Sequence, residues 1–195
     1  MKSPGQFRDS DAPAPRDPGR RRLLAWLWRI PVVAALAGLG YAVFEGRRII
    51  FGKAPAGQEP VFRALEPVTV APLAAFAAPW DSVAFELQGL PALALRLPEP
   101  VAGGFDRGDL HLAGYSRVCT HQACTVSLNR DLEAIAFGFN YRTDAPALVC
   151  PCHLSVFSPG DAGRAVSGPA TEPLPRVRLA VEADQVVALG VEDTA

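Results

Sequence analysis

Two short segments, 119–124 and 150–155, hold all 4 cysteines of the chain and two of its 3 histidines. They read Cys119-Thr120-His121-Gln122-Ala123-Cys124 and Cys150-Pro151-Cys152-His153-Leu154-Ser155. Each segment offers one close pair of a cysteine and a histidine, with one cysteine left over. Two thiolates and two imidazoles suit a zinc ion, or a [2Fe–2S] cluster in which histidines replace cysteines on one iron. The ligand types alone leave both open.

The paired segments resemble the C-T-H-x-G-C and C-P-C-H-x-S signatures of the Rieske iron–sulfur family, in its disulfide-bearing branch. The resemblance implies that Cys119 and Cys150 bind one iron of a [2Fe–2S] cluster, and that His121 and His153 bind the other. It also implies a disulfide that joins Cys124 to Cys152. Closing a ring of about 30 residues would stabilise the fold by roughly 3–4 kcal/mol.

Two other readings of the same residues give a surface module without redox chemistry. A zinc site built on Cys119, His121, Cys150 and His153 leaves the other two cysteines without a metal role. A double disulfide leaves both histidines without one. The first would be a zinc-binding module and the second a disulfide-stabilised surface module. Neither would transfer electrons.

The resemblance extends to residues around the cluster, which tune its potential. Ser155 occupies the position whose hydroxyl donates to a bridging sulfide. Phe157 stands where high-potential members place a tyrosine that donates to a cysteine sulfur, so we expect a potential in the middle or lower part of the quinol-oxidising range. Gly168 and Pro169 match the loop that covers the cluster from a third side.

Composition places the chain among globular proteins with an appendage. Its 195 residues suffice for one domain and a short extension. A net charge of −1 gives no indication of a nucleic acid partner. A disulfide would require an oxidising compartment, so the domain is expected outside the cytoplasm.

The N-terminal region reads as a membrane anchor with a polar tail. Residues 1–22 are predicted to be a disordered cytoplasmic tail. They end at Arg20-Arg21-Arg22, which resembles a twin-arginine export signal or simply flanks a membrane helix. Residues 23–44 are apolar apart from Arg29 and span about 33 Å as a helix, enough for a bilayer. We expect a single-pass anchor in a bacterial cell membrane with its N-terminus in the cytoplasm; a cleaved signal peptide is the alternative.

Residues 45–60 are predicted to be a flexible tether, because glycines and prolines cluster in 52–60. In members of the family from bc complexes, a hinge at this place lets the cluster domain swing between donor and acceptor. A plain spacer fits the composition equally well.

Residues 61–195 are predicted to form an all-β domain, a Rieske-type antiparallel β-sandwich with a cluster-binding subdomain. Apolar residues alternate in several short runs between turns. The runs are 68–70, 83–87, 93–97, 110–115, 177–181 and 185–189, the last two joined at Ala183-Asp184. His111 lies in one run and is expected to be a surface strand residue. Residues 125–149 form an insertion in which 133–139 alternate and predict an extra hairpin.

The family resemblance implies electron transfer in a membrane-bound oxidoreductase. In its bc complexes, His121 and His153 would accept a proton from quinol, with cytochrome b and a c-type cytochrome as partners. Three residues depart from the sequence pattern of bc-type subunits at the tip that docks on cytochrome b. They are Gln122, Ala123 and Leu154. A bulky residue at 154 and the run from Gly168 to Pro175 are similar to the small subunit of arsenite oxidase, whose partner is a molybdenum subunit.

Overall fold

The computed structural model describes residues 18–53 and 59–193. The chain divides into two compact units, Met1–Phe44 and Glu45–Ala195. Three helices are described: α1 Pro18–Leu27, α2 Arg29–Phe51 and α3 Leu132–Gly138. The described strands are β1 Phe62–Pro72, β2 Ser82–Leu87, β3 Leu90–Leu97, β4 Phe105–Arg107, β5 Leu110–Ser116, β6 Ser127–Asn129, β7 Ala147–Cys150, β8 Ser155–Ser158, β9 Arg164–Ser167, β10 Arg176–Glu182 and β11 Gln185–Glu192.

Helix α2 is the apolar element of the N-terminal region. Its stretch Arg29–Arg47 is long and apolar enough to cross a bilayer. Pro31 lies in its first turn, where the missing amide hydrogen costs nothing. Helices α1 and α2 together cover nearly all of the predicted 23–44, and α2 runs on to Phe51, into the predicted tether. Residues 18–22 are helical in α1, so the prediction of a disordered tail is wrong for these five residues. The tail over 1–17 and the tether residues 54–58 lie outside the described residues, so these limits stay predictions.

The described strands of the second unit form two antiparallel sheets, which confirms the predicted all-β class. The larger has the order β1-β11-β10-β5-β3-β2, and β4 pairs with residues 110–112 of β5, whereas β10 pairs with residues 114–115 of that strand. The smaller has the order β6-β7-β8-β9 and carries the second cysteine segment. All six predicted strands are confirmed, as parts of β1, β2, β3, β5, β10 and β11. Ala183 and Asp184 make the predicted turn, both with positive φ.

Strand β3 is buried on both faces, so it separates two cores. Leu93, Leu95 and Leu97 face the core between the two sheets, which also includes Cys119 and Cys150. Ala92 and Ala94 point the other way, into the core of the larger sheet. Because side chains alternate along a strand, one strand can serve both cores. The two cysteine thiols are thereby seated in the interior of the domain.

The predicted hairpin at 133–139 is wrong, because this segment forms helix α3. The Asp131 carboxylate accepts hydrogen bonds from the amides of Glu133 and Ala134 and caps the helix. A strand would have placed Ile135, Phe137 and Phe139 on one face. In the helix, Ile135 is buried and packs with Phe139, whereas Phe137 is 87% exposed.

An ion pair with little exposure to solvent joins the last two strands. The Arg176 Nη2 atom lies 2.6 Å from Glu192 Oε1, and its Nε donates to Oε2 at 2.9 Å. Burial alone would raise the pKa of Glu192, but the hydrogen bonds and charge of Arg176 lower it overall. A carboxyl with a lowered pKa adds stability above its unfolded pKa, and this is lost as the pH falls through the folded value.

We expect Glu192→Gln to lower the free energy of unfolding by about 3 kcal/mol at pH 7, because the largely buried charge of Arg176 loses the carboxylate that balances it. The matched control is Asp161→Asn, in the exposed pair with Arg164, which should cost less than about 1 kcal/mol. Urea unfolding from pH 7 down to pH 3 measures both.

The gap between the wild type and Glu192→Gln should shrink as the pH falls below the ordinary carboxyl pKa of about 4.5, since the unfolded chain then binds a proton that the folded carboxyl, with its lowered pKa, still resists. A gap that is independent of pH would contradict this assignment.

Candidate metal centre

The first cysteine segment is a tight loop between β5 and β6. Cys119 N–H donates to Cys124 O and Ala123 N–H donates to Cys119 O, both at 2.9 Å. Thr120 Oγ1 donates to the carbonyl of Glu172 at 2.8 Å, which ties this loop to the segment after β9. Ala123 has a φ of +55°, in the region that favours glycine. The loop is therefore held from inside and from one neighbouring segment.

The second segment is the turn of the β7–β8 hairpin. Cys150 pairs with Ser155 across the hairpin, so residues 151–154 form the turn itself. Leu154 has a φ of +60° and a side chain that is 45% exposed. A leucine in this backbone region is strained, because a positive φ favours glycine. An apolar side chain thus projects beside His153.

The two loops are joined by the disulfide Cys124–Cys152, with a sequence separation of 28 residues. This confirms the predicted pairing and leaves Cys119 and Cys150 as free thiols. The Sγ atoms of Cys124, Cys150 and Cys152 lie within 4.8 Å of one another. Because two of these sulfurs are spent in the disulfide, only Cys150 of this group can offer a thiolate to a metal.

The free thiols lie deep and the imidazoles lie near the surface. Cys119 is 3% exposed and Cys150 is 2% exposed. Burial raises the pKa of the Cys150 thiol, the amides of Cys152 and His153 act against this rise, and the Cys119 thiol adds to it. A metal must displace that proton to bind the sulfur. The amides that point at the sulfur would then stabilise the thiolate.

The structure brings His121 and His153 side by side. Their ring centroids are 4.9 Å apart and the rings meet at 86°, edge to face. His121 is half-buried and His153 is exposed. The third histidine, His111, lies elsewhere in β5, where its Nδ1 is 2.8 Å from Asp106 Oδ1. Its side chain is 15% exposed, so His111 is, as predicted, a strand residue, and it is partly buried.

A third loop, 168–170, closes the site beside the hairpin. Ala170 N–H donates to the Ser155 hydroxyl at 3.2 Å, and Ser155 is fully buried. Gly168 has a φ of +77°, and an added Cβ would lie 2.5 Å from the carbonyl oxygen of Leu154. Only glycine fits this approach. Since the Ser155 oxygen already accepts from Ala170, its own proton stays available to an acceptor in the site.

Phe157 and Lys53 complete the surroundings of the site. Phe157 is fully buried in β8, in the same core as Cys119 and Cys150. The Lys53 Nζ atom lies 2.6 Å from Gly168 O and 2.5 Å from Ala170 O. The sequence analysis missed Lys53, because a lysine in a Gly/Pro-rich linker carries no periodic or motif signal.

The donors present suit a [2Fe–2S] cluster with mixed ligands. Two buried thiols on one side and two more exposed imidazoles on the other match a cluster with one sulfur-bound and one nitrogen-bound iron. A four-ligand zinc site would use the same atoms.

Residues 103–178 match the Rieske [2Fe-2S] domain family. The chain carries a Rieske domain that binds a [2Fe–2S] cluster. The match spans both cysteine segments and the 168–170 loop, and the disulfide assigns the domain to the disulfide-bearing branch. The zinc reading and the double disulfide are thereby set aside.

Named relatives come from more than one kind of oxidoreductase. The chain is 34% identical over 70 residues to a "Cytochrome bc1 complex Rieske iron-sulfur subunit" of Streptomyces lividans, covering 36% of this chain and 34% of that protein. It is 31% identical over 101 residues to a "Putative respiratory nitrate reductase subunit Rieske" of Haloferax mediterranei, covering 50% and 40%. The chain thus spans well under half of the length of these relatives.

Among solved structures, the soluble domain of Rieske protein II from Sulfolobus acidocaldarius matches with a TM-score of 0.47 at 22% identity. The match covers 67% of this chain and 82% of that chain.

We expect Gly168→Ala to destabilise the domain more than Gly89→Ala. Both glycines have positive φ, at +77° and +84°, but nothing lies within 4 Å of the Cβ that would be added at Gly89. Gly89→Ala should therefore cost about 1–2 kcal/mol from backbone strain alone, and Gly168→Ala at least about 2 kcal/mol more from the clash.

Thermal unfolding and the iron content of the two variants measure this difference. Equal destabilisation, with equal iron content, would mean that the loop moves aside and does not pack tightly on the hairpin.

Proposed function

We propose that this chain is the Rieske subunit of a quinol:cytochrome c oxidoreductase in a bacterial membrane, with α2 as a single-pass anchor. Its cluster domain would lie outside the cytoplasm, between cytochrome b and a c-type cytochrome. The observation that carries the proposal is the pair of adjacent imidazoles, His121 and His153, on a tip whose thiols are buried. A relative named as a bc1 Rieske subunit supports it.

In this proposal, Cys119 and Cys150 hold one iron, and His121 and His153 hold the other. When bound, the cluster supplies a one-electron acceptor, with potentials of roughly −150 to +300 mV in this ligand class. The buried cysteines exclude water from the sulfur side. The amides of Cys152 and His153 point at the Cys150 sulfur and orient it.

The histidines give the site its proton chemistry. Each imidazole that binds iron through one ring nitrogen keeps the other nitrogen free. His153 is exposed, so this nitrogen can accept a hydrogen bond from a quinol hydroxyl and take its proton. Leu154 lies next to it and offers an apolar contact for a quinone ring. These two residues together form a surface that fits an amphipathic quinol.

The surroundings favour a moderate potential within this class. The Ser155 hydroxyl keeps its proton for donation into the site, which raises the potential of the cluster. Phe157 has no hydroxyl, so the second donor of high-potential relatives is missing at this position. We expect a midpoint below the upper limit of about +300 mV, as a menaquinol-oxidising complex would need.

The runner-up is the small subunit of an oxidoreductase with a molybdenum subunit, similar to arsenite oxidase. The exposed Leu154 and Gln122 depart from the bc-type tip, and one relative is named as a Rieske subunit of a nitrate reductase. In that setting, the same tip would dock on a protein partner and no quinol would bind.

We expect His153→Ala and His121→Ala to abolish the Rieske spectrum of the purified protein, since each removes a proposed iron ligand. The matched control is His111→Ala, which removes the third histidine of the chain and should keep the spectrum. Electron paramagnetic resonance of the reduced proteins measures this. A wild-type spectrum in His153→Ala would overturn the ligand assignment.

Purification of the full-length protein in mild detergent tests the wider proposal. We expect b-type haem to copurify with the protein and to be reduced by added quinol. We expect the same sample to contain no molybdenum. Copurified molybdenum without haem b would contradict the quinol:cytochrome c assignment and establish the runner-up. Optical spectra and metal analysis of the same sample distinguish the two.

A further inference from the structure

Lys53 reaches the loop that covers the cluster site, although it lies 115 residues before that loop in the chain. It follows the end of α2 by two residues. Its ammonium donates to two carbonyl oxygens of the same loop, Gly168 O at 2.6 Å and Ala170 O at 2.5 Å. One side chain therefore fixes both ends of a three-residue loop.

These bonds are stronger than ordinary surface contacts. Lys53 is half-buried, and hydrogen bonds from a charged donor are roughly twice as strong as neutral ones. Burial lowers the pKa of Lys53. Within the described residues, both acceptors of the ammonium are backbone carbonyls, so its charge is not cancelled by a carboxylate.

A continuous path of hydrogen bonds leads from Lys53 to the cluster hairpin. Ala170 accepts from Lys53 through its carbonyl and donates through its amide to the Ser155 hydroxyl at 3.2 Å. Ser155 pairs with Cys150 across β7 and β8. If the loop moved, the Ser155 hydroxyl would lose the donor that orients it.

Charge and hydrogen bonding act in the same direction on the cluster. A positive charge close to the site stabilises the reduced state, which carries one more electron. An ordered Ser155 hydroxyl that donates into the site also stabilises the reduced state. Loss of Lys53 should therefore lower the potential by both routes.

We propose that Lys53 is a positioning residue of the cluster site, which locks the 168–170 loop and so makes the potential depend on the segment after α2. The inference rests on the ligand set proposed above, and it holds for either choice of partner complex. A chain in which this segment left the domain would have a lower potential than one in which Lys53 is bound.

The test compares the full-length protein with Lys53→Met, Lys53→Arg and Arg63→Met. Lys53→Met keeps the length of the side chain and removes the charge and the donors. Lys53→Arg keeps both. Arg63→Met removes an exposed cation from β1, outside this path, and controls for net charge. Midpoint potentials are measured by redox titration followed by circular dichroism, with the spectrum confirming that each sample holds its cluster.

We expect Lys53→Met to shift the midpoint to lower potential, while Lys53→Arg and Arg63→Met stay close to the wild type. A midpoint in Lys53→Met equal to that of Arg63→Met would overturn the proposal. An equal shift in Lys53→Met and Lys53→Arg would also overturn it. The shift would then not depend on the positive charge and the hydrogen-bond donors, which arginine keeps.

Hydrogen exchange at the Ala170 amide is a second measurement that needs no cluster. This amide should exchange faster in Lys53→Met than in the wild type. In Arg63→Met, its exchange rate should stay at the wild-type value. A wild-type exchange rate in Lys53→Met would show that the loop does not depend on Lys53 and would overturn the proposal. The copurifying haem or molybdenum reports on the partner complex alone, so the two proposals fail independently.

Discussion

The disulfide between Cys124 and Cys152 is the constraint on which the site depends. It joins a loop that follows the larger sheet to a hairpin turn of the smaller sheet. Their closeness sets the 4.9 Å separation of the imidazole rings of His121 and His153. Since a cross-link limits the freedom of the unfolded chain as well, it favours this one arrangement of the two loops.

Burial then separates the two kinds of donor. The thiols of Cys119 and Cys150 belong to the core between the sheets, beside Phe157 and Leu95. The histidines lie in the same two loops but nearer the surface, His121 half-buried and His153 exposed. A single core thus encloses the two thiols, while the imidazole of His153 stays open to solvent.

Much of this could be read from the sequence where a pattern has a direct physical cause. Alternation of apolar residues predicted β3 and β5, because one or both faces of these strands are buried. The same alternation failed at 133–139, because Asp131 caps a helix there and lets Phe137 face solvent. Lys53 could not be found in this way, since its contacts depend on residues more than 100 positions away.

The residue types of the site and their spacing along the chain could be predicted, but the backbone conformation of its loops could not. The cysteines and histidines fall in two short motifs, so their grouping followed from the sequence. The left-handed backbone at Leu154 did not, because leucine has no preference for it. The tight approach of Gly168 to the Leu154 carbonyl likewise depends on how two loops meet in space.

The order of strands in the larger sheet has a consequence for the synthesis of the protein. β1 pairs with β11, and β11 lies between β1 and β10. In the described sheet, β1 is an edge strand whose hydrogen-bonding neighbour is made more than 100 residues later, as the pairing of Phe62 with Glu192 shows. Contacts over such separations form slowly. Until β11 leaves the ribosome, β1 must remain an unpaired apolar strand, so the domain closes only after both cluster loops have been made.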